Sequence, residues 1–417
     1  MTVSLCMIVR DEEATLAGAI NSVKELVDEI IVVDTGSADG TAAVACRCGA
    51  QVVDFPWCDD FAAARNASLA AATRDWILVL DADEILDPVD PVFFRQLLAD
   101  PSVAGYELTL KNLGQRGDCP LVRLFRNDPA VRYIFPIHEQ VTPALNRWAA
   151  AREMRVARSP LVISHSGYDP ALVQAKKPRN RRLLDKALAE FPEEPYLHFQ
   201  RGAEEVSVFA GEVLPVTGMR EAAASLERAW ALGGDGPWLP ELAALLGSVR
   251  LVLADPQGSL EVLSTAASVY PEHPKLAQPL CLTALELGRK DTEAMIGLTP
   301  NISALAINLG DQPKRRILGE MEIILGNPQL ARQHFQEALD SDPGNTFGWL
   351  GMARACLAEG RRQESLGHLV KSVAGSEWNW RAWLQGAGLM QKMGLTDQAA
   401  QWRATFSRQF PDHPEAS

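Results

Sequence analysis

Short apolar runs alternate with helical patterns along the first part of the chain. Val3–Val9, Glu29–Asp34 and Trp76–Leu80 are short and almost uninterrupted apolar runs. Such runs are typical of strands that are buried on both faces of a parallel sheet. Gln51–Phe55 predicts a further strand, and Phe61–Ala72 predicts an alanine-rich helix. The alternation of strands and helices predicts a doubly wound, mostly parallel α/β sheet.

Polar residues follow the predicted strands where each strand ends. Glu12 follows the first strand, Asp34 ends the second, and Asp81 and Asp83 follow the apolar run that begins at Trp76. Ligands of open α/β sheets bind at this edge. On an extended backbone, Asp81 and Asp83 would project from the same side and offer hard oxygen ligands to Mg²⁺ or Mn²⁺. The alternative is that residues 81–90 form an acidic turn without a ligand.

The pattern changes to helical spacing beyond Pro178, and strand signals largely vanish. Ala331, Ser365 and Ala399 stand at equivalent positions that are 34 residues apart. This spacing predicts tetratricopeptide-like helical repeats, which offer a surface for a peptide, a protein or a second copy of the chain. The alternative is that the repeats only stabilise the first domain. We expect an α/β domain over residues 1–175 and an all-α repeat domain over residues 176–417.

Composition and charge restrict the class of protein. The 417 residues are 47% hydrophobic and 22% charged, which is typical of a soluble globular protein with at least two domains. The formal net charge of -13 argues against a nucleic-acid partner. There is no signal-peptide pattern and no apolar run long enough to span a bilayer, so we expect a cytoplasmic protein. The odd count of seven cysteines favours reduced thiols over a disulfide framework.

The sequence contains two sets of motifs that resemble a known family. The first set is Leu5–Glu13, Asp28–Ser37, Ala64–Asn66 and Trp76–Glu84, and the second is Phe55–Phe61, His138–Gln140 and His165–Tyr168. The first set occurs in the order in which the catalytic domain of glycosyltransferase family two has such motifs, and that family comprises nucleotide-sugar-dependent enzymes with the GT-A fold. The second set resembles a bacterial branch in which this domain precedes tetratricopeptide-like repeats, including glycosyltransferases of bacteriocin peptides and of flagellin.

The resemblance implies roles for individual residues. Arg65 would lie near the phosphates of the nucleotide, with a surface ion pair to Asp59 or Asp60 as the alternative. Asp34 would accept a hydrogen bond from uracil or ribose, although it could instead cap its turn. The uridine pocket would be lined by Ile8, Val9, Arg10 and Glu12. The metal would bind Asp83 directly, with Asp81 shared with the ribose and His165 completing the shell, although His165 could be structural.

The general base does not follow from the family pattern. Many relatives place it in an acidic Glu-Asp pair after the metal motif, and this sequence has no such pair. Glu139 is the first candidate, His138 the second, and Asp118 a weaker third. The alternative for His138 is a structural role. Arg123 stands near the expected crevice, but the sequence gives it no role.

The predicted function is therefore a metal-dependent, inverting transfer of a hexose from a UDP-sugar to a protein or peptide side chain. Mg²⁺ or Mn²⁺ would be the cofactor, and the repeats would recruit the acceptor or form a homodimer. One alternative acceptor is a cell-surface or lipid-linked glycan. The other alternative is a repeat scaffold that carries a catalytically silent domain.

Overall fold

The chain divides into two compact units, Met1–Pro192 and Glu193–Ser417. The structure is a computed structural model, and it describes residues 1–112, 119–165, 170–207, 216–234, 236–271, 273–289, 291, 302–306, 309–374 and 380–410. We expected the second domain to begin at residue 176. The division lies later because the whole helix Pro170–Glu190 is part of the first unit.

The first unit is built on one eight-stranded sheet with the strand order β3-β2-β1-β4-β7-β6-β8-β5. Strands β1 to β4 are parallel to their neighbours within this group, whereas β7 is antiparallel to both β4 and β6. The α/β prediction is confirmed, and the sheet is mixed. The strands are β1 Val3–Val9, β2 Glu29–Asp34, β3 Gln51–Asp54, β4 Trp76–Val79, β5 Glu84–Leu86, β6 Val103–Asn112, β7 Cys119–Arg126 and β8 Arg155–His165.

Helices cover both faces of this sheet, and successive side chains of β1 enter two different cores. Leu5 and Met7 join the core that includes Leu16 of α1, whereas Cys6 joins the core that includes Leu145 of α5. This alternation explains why the strand reads as a continuous apolar run. The helices are α1 Leu16–Val23, α2 Thr41–Arg47, α3 Phe61–Ala71, α4 Pro91–Leu98, α5 Thr142–Ala150 and α6 Pro170–Glu190.

The parallel strands end at a common edge of the sheet. In the register, Val9 at the end of β1 is opposite Asp34 at the end of β2, and Cys6 is opposite Val79 at the end of β4. The loops that begin at Arg10 and Leu80 therefore leave the sheet on the same side.

The second unit is helical throughout its described part, as predicted. Ala331, Ser365 and Ala399 are all fully buried, which is expected of small residues where repeat helices cross. Trp383 packs on Trp402 at 4.8 Å between ring centroids. The helices are α7 Pro195–Ser207, α8 Val216–Leu232, α9 Leu239–Val252, α10 Pro256–Val269, α11 Pro274–Gly288, α12 Asp311–Ile324, α13 Pro328–Ser341, α14 Thr346–Ala358, α15 Arg362–Val373, α16 Trp380–Lys392 and α17 Thr396–Gln409.

Trp378, Trp380 and Trp383 lie close together in the sequence and could anchor a partner, although helix packing is the favoured role for most of them. Trp378 and the side chain of Trp380 lie outside the described residues. Among the described helices, none combines the length and the hydrophobicity that a membrane crossing requires.

Candidate active site

A cavity of about 540 Å³ opens at the edge where β1 and β4 end. It has the size of a small-molecule site. All its lining residues belong to the first unit, and they include every residue expected in the site except Asp34 and the weaker base candidate Asp118. The lining residues are Ile8, Val9, Arg10, Asp11, Glu12, Thr35, Phe61, Arg65, Asp81, Ala82, Asp83, Ile137, His138, Glu139, His165, Lys176, Arg179 and Asn180.

The two aspartates after β4 do not point the same way. The strand ends at Val79, and the Glu84 N–H donates to the Asp81 carbonyl at 3.1 Å, which closes a turn over these residues. An extended backbone through Asp81 and Asp83 was the wrong expectation, because the chain reverses here to enter β5. Asp81 consequently contacts arginines, whereas Asp83 contacts His165.

Arg65 connects Asp81 to the predicted base. It lies on α3, where Asp60 caps the helix by accepting from the Ala63 N–H at 2.8 Å. The guanidinium is buried and donates through Nη2 to Asp81 Oδ1 at 2.9 Å and through Nε to Glu139 Oε1 at 2.6 Å. The alternative of a surface ion pair with Asp59 or Asp60 is wrong, because the side chain points inward from the helix.

Arg123 and Glu84 complete a buried charge network. Arg123 Nη2 donates to Asp81 Oδ2 at 3.0 Å and to Glu84 Oε1 at 2.6 Å, and Glu84 Oε2 accepts from the Asp81 N–H at 2.8 Å. Burial raises the pKa of Glu84 against the opposing charge of Arg123. Burial would also raise the pKa of Asp81, but the guanidiniums of Arg65 and Arg123 outweigh it and hold that pKa well below its usual range.

Sequence reasoning gave neither Arg123 nor Glu84 a role. Arg123 comes from β7, and the antiparallel pairing of β7 with β4 cannot be derived from local patterns. Glu84 directly follows the two aspartates, yet its burial depends on the turn described above. The network places two guanidiniums against three carboxylates at the edge of the cavity.

Asp83 and His165 form the second polar pair. His165 ends β8 and is opposite Glu84 of β5 in the register, so its ring lies beside the turn between Asp81 and Glu84. Its Nε2 lies 3.1 Å from Asp83 Oδ2, and this hydrogen bond raises the pKa of His165 and lowers that of Asp83. Within the part of the chain that the structure describes, no three or more His, Cys, Asp or Glu side chains are grouped so that they could hold a metal ion.

The two candidates for the base lie on a closed loop. Ile134 and Gln140 exchange two backbone hydrogen bonds of 3.0 Å, which brings His138 and Glu139 to the cavity. His138 has a φ of 51°, a conformation that is sparsely populated and concentrated at functional sites. Burial lowers its pKa, and its Nε2 is buried without a partner among the described residues. Asp118, the weaker candidate, lies outside the described residues.

Asp34 supports its own turn instead of lining the cavity. Its Oδ1 accepts from the backbone N–H groups of Gly36 at 3.0 Å and Ser37 at 2.8 Å. The next residue, Thr35, is the one that reaches the cavity. Asp34 therefore caps its turn through Oδ1, as the alternative for this residue predicted.

Helix α6 carries a run of basic residues, and the start of this run lies at the cavity and not in a separate domain; its members are Lys176, Lys177, Arg179, Arg181 and Arg182. Lys176, Arg179 and Asn180 of α6 are among its lining residues. Further along α6, Arg182 pairs with Asp59 at 2.7 Å, and Lys186 Nζ donates to the Asp59 carbonyl at 3.2 Å. These contacts fix the basic face of α6 on the first unit.

A sheet with charged side chains at its strand ends is the architecture of many nucleotide-dependent enzymes, and comparisons with known proteins specify the class. A profile for the family described as Glycosyl transferase family 2 matches residues 4–108. A TPR repeat-containing protein of Synechococcus elongatus is 44% identical over 202 residues, which cover 47% of this chain and 50% of that protein. The glycosyltransferase SunS of Bacillus subtilis is 27% identical over 219 residues, which cover 49% of each chain.

Residues 4–108 of the first unit are thus similar to the glycosyltransferase family 2 domain, and the second unit that follows is helical in its described part. The chain spans half the length of these two relatives. Among solved structures, glucosyl-3-phosphoglycerate synthase from Mycobacterium tuberculosis is 22% identical, with a TM-score of 0.35 over 45% of this chain and 79% of that chain. A tetratricopeptide repeat protein from Parabacteroides merdae is 13% identical, with a TM-score of 0.45 over 58% of this chain and 89% of that chain.

Proposed function

We propose that this chain is a metal-dependent, inverting glycosyltransferase that moves a hexose from a UDP-sugar to a protein or peptide side chain. The observation that carries the proposal is the cavity itself. It joins the residues expected to bind the nucleotide, Ile8 to Arg10, to the polar pairs around Asp81 and Asp83. The family match supports the reaction class, and the resemblance of the motifs supports UDP as the nucleotide.

Asp83 and His165 are the residues that fit a divalent cation. Their polar atoms are already adjacent at 3.1 Å and line the cavity. Two protein ligands suit Mg²⁺ or Mn²⁺, because substrate phosphates and water supply the other positions. When bound, the ion would stabilise the charge on the departing diphosphate. Asp81 fits this role less well, since Arg65 and Arg123 occupy both of its oxygens.

The arginine network positions Asp81 and Glu139 instead of binding metal. Arg65 donates hydrogen bonds to both Asp81 and Glu139, so these two carboxylates keep a fixed separation. The Asp81 side chain is 34% exposed to the cavity, whereas Arg65, Arg123 and Glu84 are buried and need paired partners that compensate for their lost hydration. We assign to Asp81 the contact with the donor ribose.

Glu139 is the general base that we favour. Its Oε1 is held by Arg65, whereas its Oε2 has no partner among the described residues and can face the acceptor. The base removes the proton from the acceptor hydroxyl or thiol as that atom bonds to the anomeric carbon, while the bond from this carbon to the diphosphate oxygen breaks and UDP leaves. His138, neutral because burial lowers its pKa, is the second candidate.

The appended repeats favour a polypeptide acceptor over a glycan, because repeat surfaces commonly bind peptides and proteins. Transfer to a lipid-linked or cell-surface glycan is the rival that an acceptor assay would separate. A catalytically silent domain is the other rival. The intact pairing of Asp83 with His165 and of Arg65 with Glu139 argues against it.

Release of UDP from a panel of UDP-sugars with Mn²⁺ or Mg²⁺ tests the proposal. We expect metal-dependent turnover of one donor, and a loss of about a hundredfold or more in Asp83→Asn, since a charged ligand becomes a neutral amide. Asp90→Asn is the matched control, because Asp90 caps α4 by accepting from the Val92 N–H at 2.9 Å and asparagine caps equally well. Absence of both turnover and UDP binding in the wild type would favour the scaffold.

A further inference from the structure

One loop of the first unit carries both candidate bases in a backbone conformation that needs support. It comprises residues 133–140, and we call it the base loop. Phe135 has a φ of 72° and His138 a φ of 51°, so both lie in the left-handed region. A bulky side chain rarely adopts this conformation, which persists only where the surrounding structure holds it. The base loop therefore depends on contacts with its neighbours.

Helix α3 contacts the backbone of the base loop at two points. The side-chain amide of Asn66 accepts from the Tyr133 N–H at 2.8 Å and donates to the Tyr133 carbonyl at 2.9 Å. One side chain thus satisfies both backbone polar groups at the start of the loop. The Phe61 N–H belongs to the first turn of α3 and has no partner inside the helix, and it donates to the Pro136 carbonyl at 2.8 Å.

Asn66 acts beside the cavity and does not line it. Arg65, its neighbour on α3, is a lining residue, whereas Asn66 is not. The guanidinium of Arg65 faces the ring of Tyr133, with 5.6 Å between the guanidinium carbon and the ring centroid. The same guanidinium donates to Glu139 at 2.6 Å. By fixing Tyr133, Asn66 therefore fixes the start of the base loop against the arginine that binds Glu139 near its end.

We propose that Asn66 is a positioning residue of the transfer reaction, because it anchors the base loop and thereby sets the direction of Glu139. The inference rests on the proposed function, since it takes Glu139 as the general base. A displacement of about 1 Å in a reacting group can lower a rate about a hundredfold. A loop with two left-handed residues relaxes when an anchor is lost, so removal of the Asn66 amide moves Glu139 without removing it.

Asn127 is the matched control, because it makes a similar pair of contacts away from the cavity. Its Nδ2 donates to the carbonyl groups of Ala72 at 3.1 Å and Arg74 at 2.9 Å, just before β4 begins. Both asparagines are partly exposed, and each makes two hydrogen bonds to backbone groups. Neither Asn127 nor its two partners line the cavity. Truncation of either asparagine should cost comparable stability, but only truncation of Asn66 should affect the reaction.

Release of UDP by the full chain tests the inference. Without an acceptor, water attacks the anomeric carbon of the UDP-sugar, its proton passes to Glu139, and UDP leaves. We expect Asn66→Ala to lower kcat about 10–100-fold and to change KM for the UDP-sugar less than about twofold, since the base moves but the nucleotide pocket stays. Asn127→Ala should keep the wild-type kcat. Equal kcat values for the two variants would overturn the inference.

A double-mutant cycle with Glu139→Gln separates positioning from a general loss of structure. If Asn66 acts through Glu139, Asn66→Ala should lower kcat less than about threefold once the carboxylate is absent. If Asn66 only stabilises the fold, its full effect on kcat should persist in Glu139→Gln. That second result would overturn the inference.

Hydrogen exchange of the base loop measures the anchor without turnover. The N–H groups of Tyr133, Ile134 and Gln140 all donate hydrogen bonds. We expect them to exchange about tenfold faster in Asn66→Ala and at the wild-type rate in Asn127→Ala. Unchanged exchange in Asn66→Ala would overturn the inference.

The same measurements distinguish a failure of this inference from a failure of the proposed function. UDP release by the wild type that is unaffected in Asn66→Ala would refute the inference alone. Absence of UDP release in the wild type would refute the proposed function, and the inference would fail with it.

Discussion

Asp81 shows how a residue can be placed in the correct site and still have a different role from the one that its spacing predicts. The motif indicated two aspartates on one side of a strand, but the chain turns between them, and Arg65 and Arg123 take both oxygens of Asp81. The environment of Asp81 is determined by two arginines that are distant from it in the sequence. No local pattern contains that information.

Removing Arg123 should destabilise the first unit. Arg123→Met leaves Glu84 buried without its partner and takes one of two partners from Asp81, so we expect the free energy of unfolding to fall by about 3–5 kcal/mol. Adding Glu84→Gln should recover part of this loss, because it removes the buried charge. Urea denaturation measures both effects. Arg95→Met is the control, since Arg95 and Asp28 are partly exposed and such pairs contribute under about 1 kcal/mol.

The two candidate bases can be distinguished by kinetics. If Glu139 is the base, Glu139→Gln should lower kcat by about 10²–10⁴ and leave KM nearly unchanged, whereas His138→Gln should have a smaller effect. A larger effect of His138→Gln would reverse the assignment. In that case the acid limb of the pH–rate profile would lie below pH 6.5, because burial lowers the pKa of His138 from that value.

At the scale of elements, most strands and helices could be predicted because their signals are local. Val3–Val9 and Glu29–Asp34 have the predicted bounds, since unbroken apolar runs end at charged residues. The three-residue strand β5 gave no such signal and exists through its pairing with β8. The expected boundary at residue 176 falls inside helix α6, because the contacts of this helix with residues 58–61 are long-range and no local pattern contains them.

The packing of the repeat helices depends on glycines around Phe335. This side chain is fully buried on α13, and a Cβ added to Gly351 of α14 would overlap its ring. We expect Gly351→Ala to lower the free energy of unfolding by about 1–3 kcal/mol through overpacking. Gly367 of α15 has nothing within 4 Å of the added Cβ, so Gly367→Ala should raise stability by about 0.5–1 kcal/mol. Chemical denaturation of the two variants checks the opposite signs.

At the scale of the whole molecule, the sequence predicted two architectures in the right order. The change from strand-length apolar runs to helical spacing separates them, and the recurrence of small residues such as Ala331 and Ser365 identifies the repeats. The contacts of Glu320 with Arg289 and Arg354 could not be predicted in this way. The three residues lie 31 and 34 positions apart in sequence and meet only when the helices stack.

The insertion of β7 between β4 and β6 has a consequence for the order of events during synthesis. The strands β1 to β4 can pair as soon as they leave the ribosome. Arg123 on β7 and His165 at the end of β8, which pair with Asp81 and Asp83, emerge later. Until then, Asp81 has Arg65 as a partner, but Glu84 lacks the guanidinium of Arg123. We expect the nascent first unit to remain loosely folded up to that point and to gain stability and nucleotide affinity in a single late step.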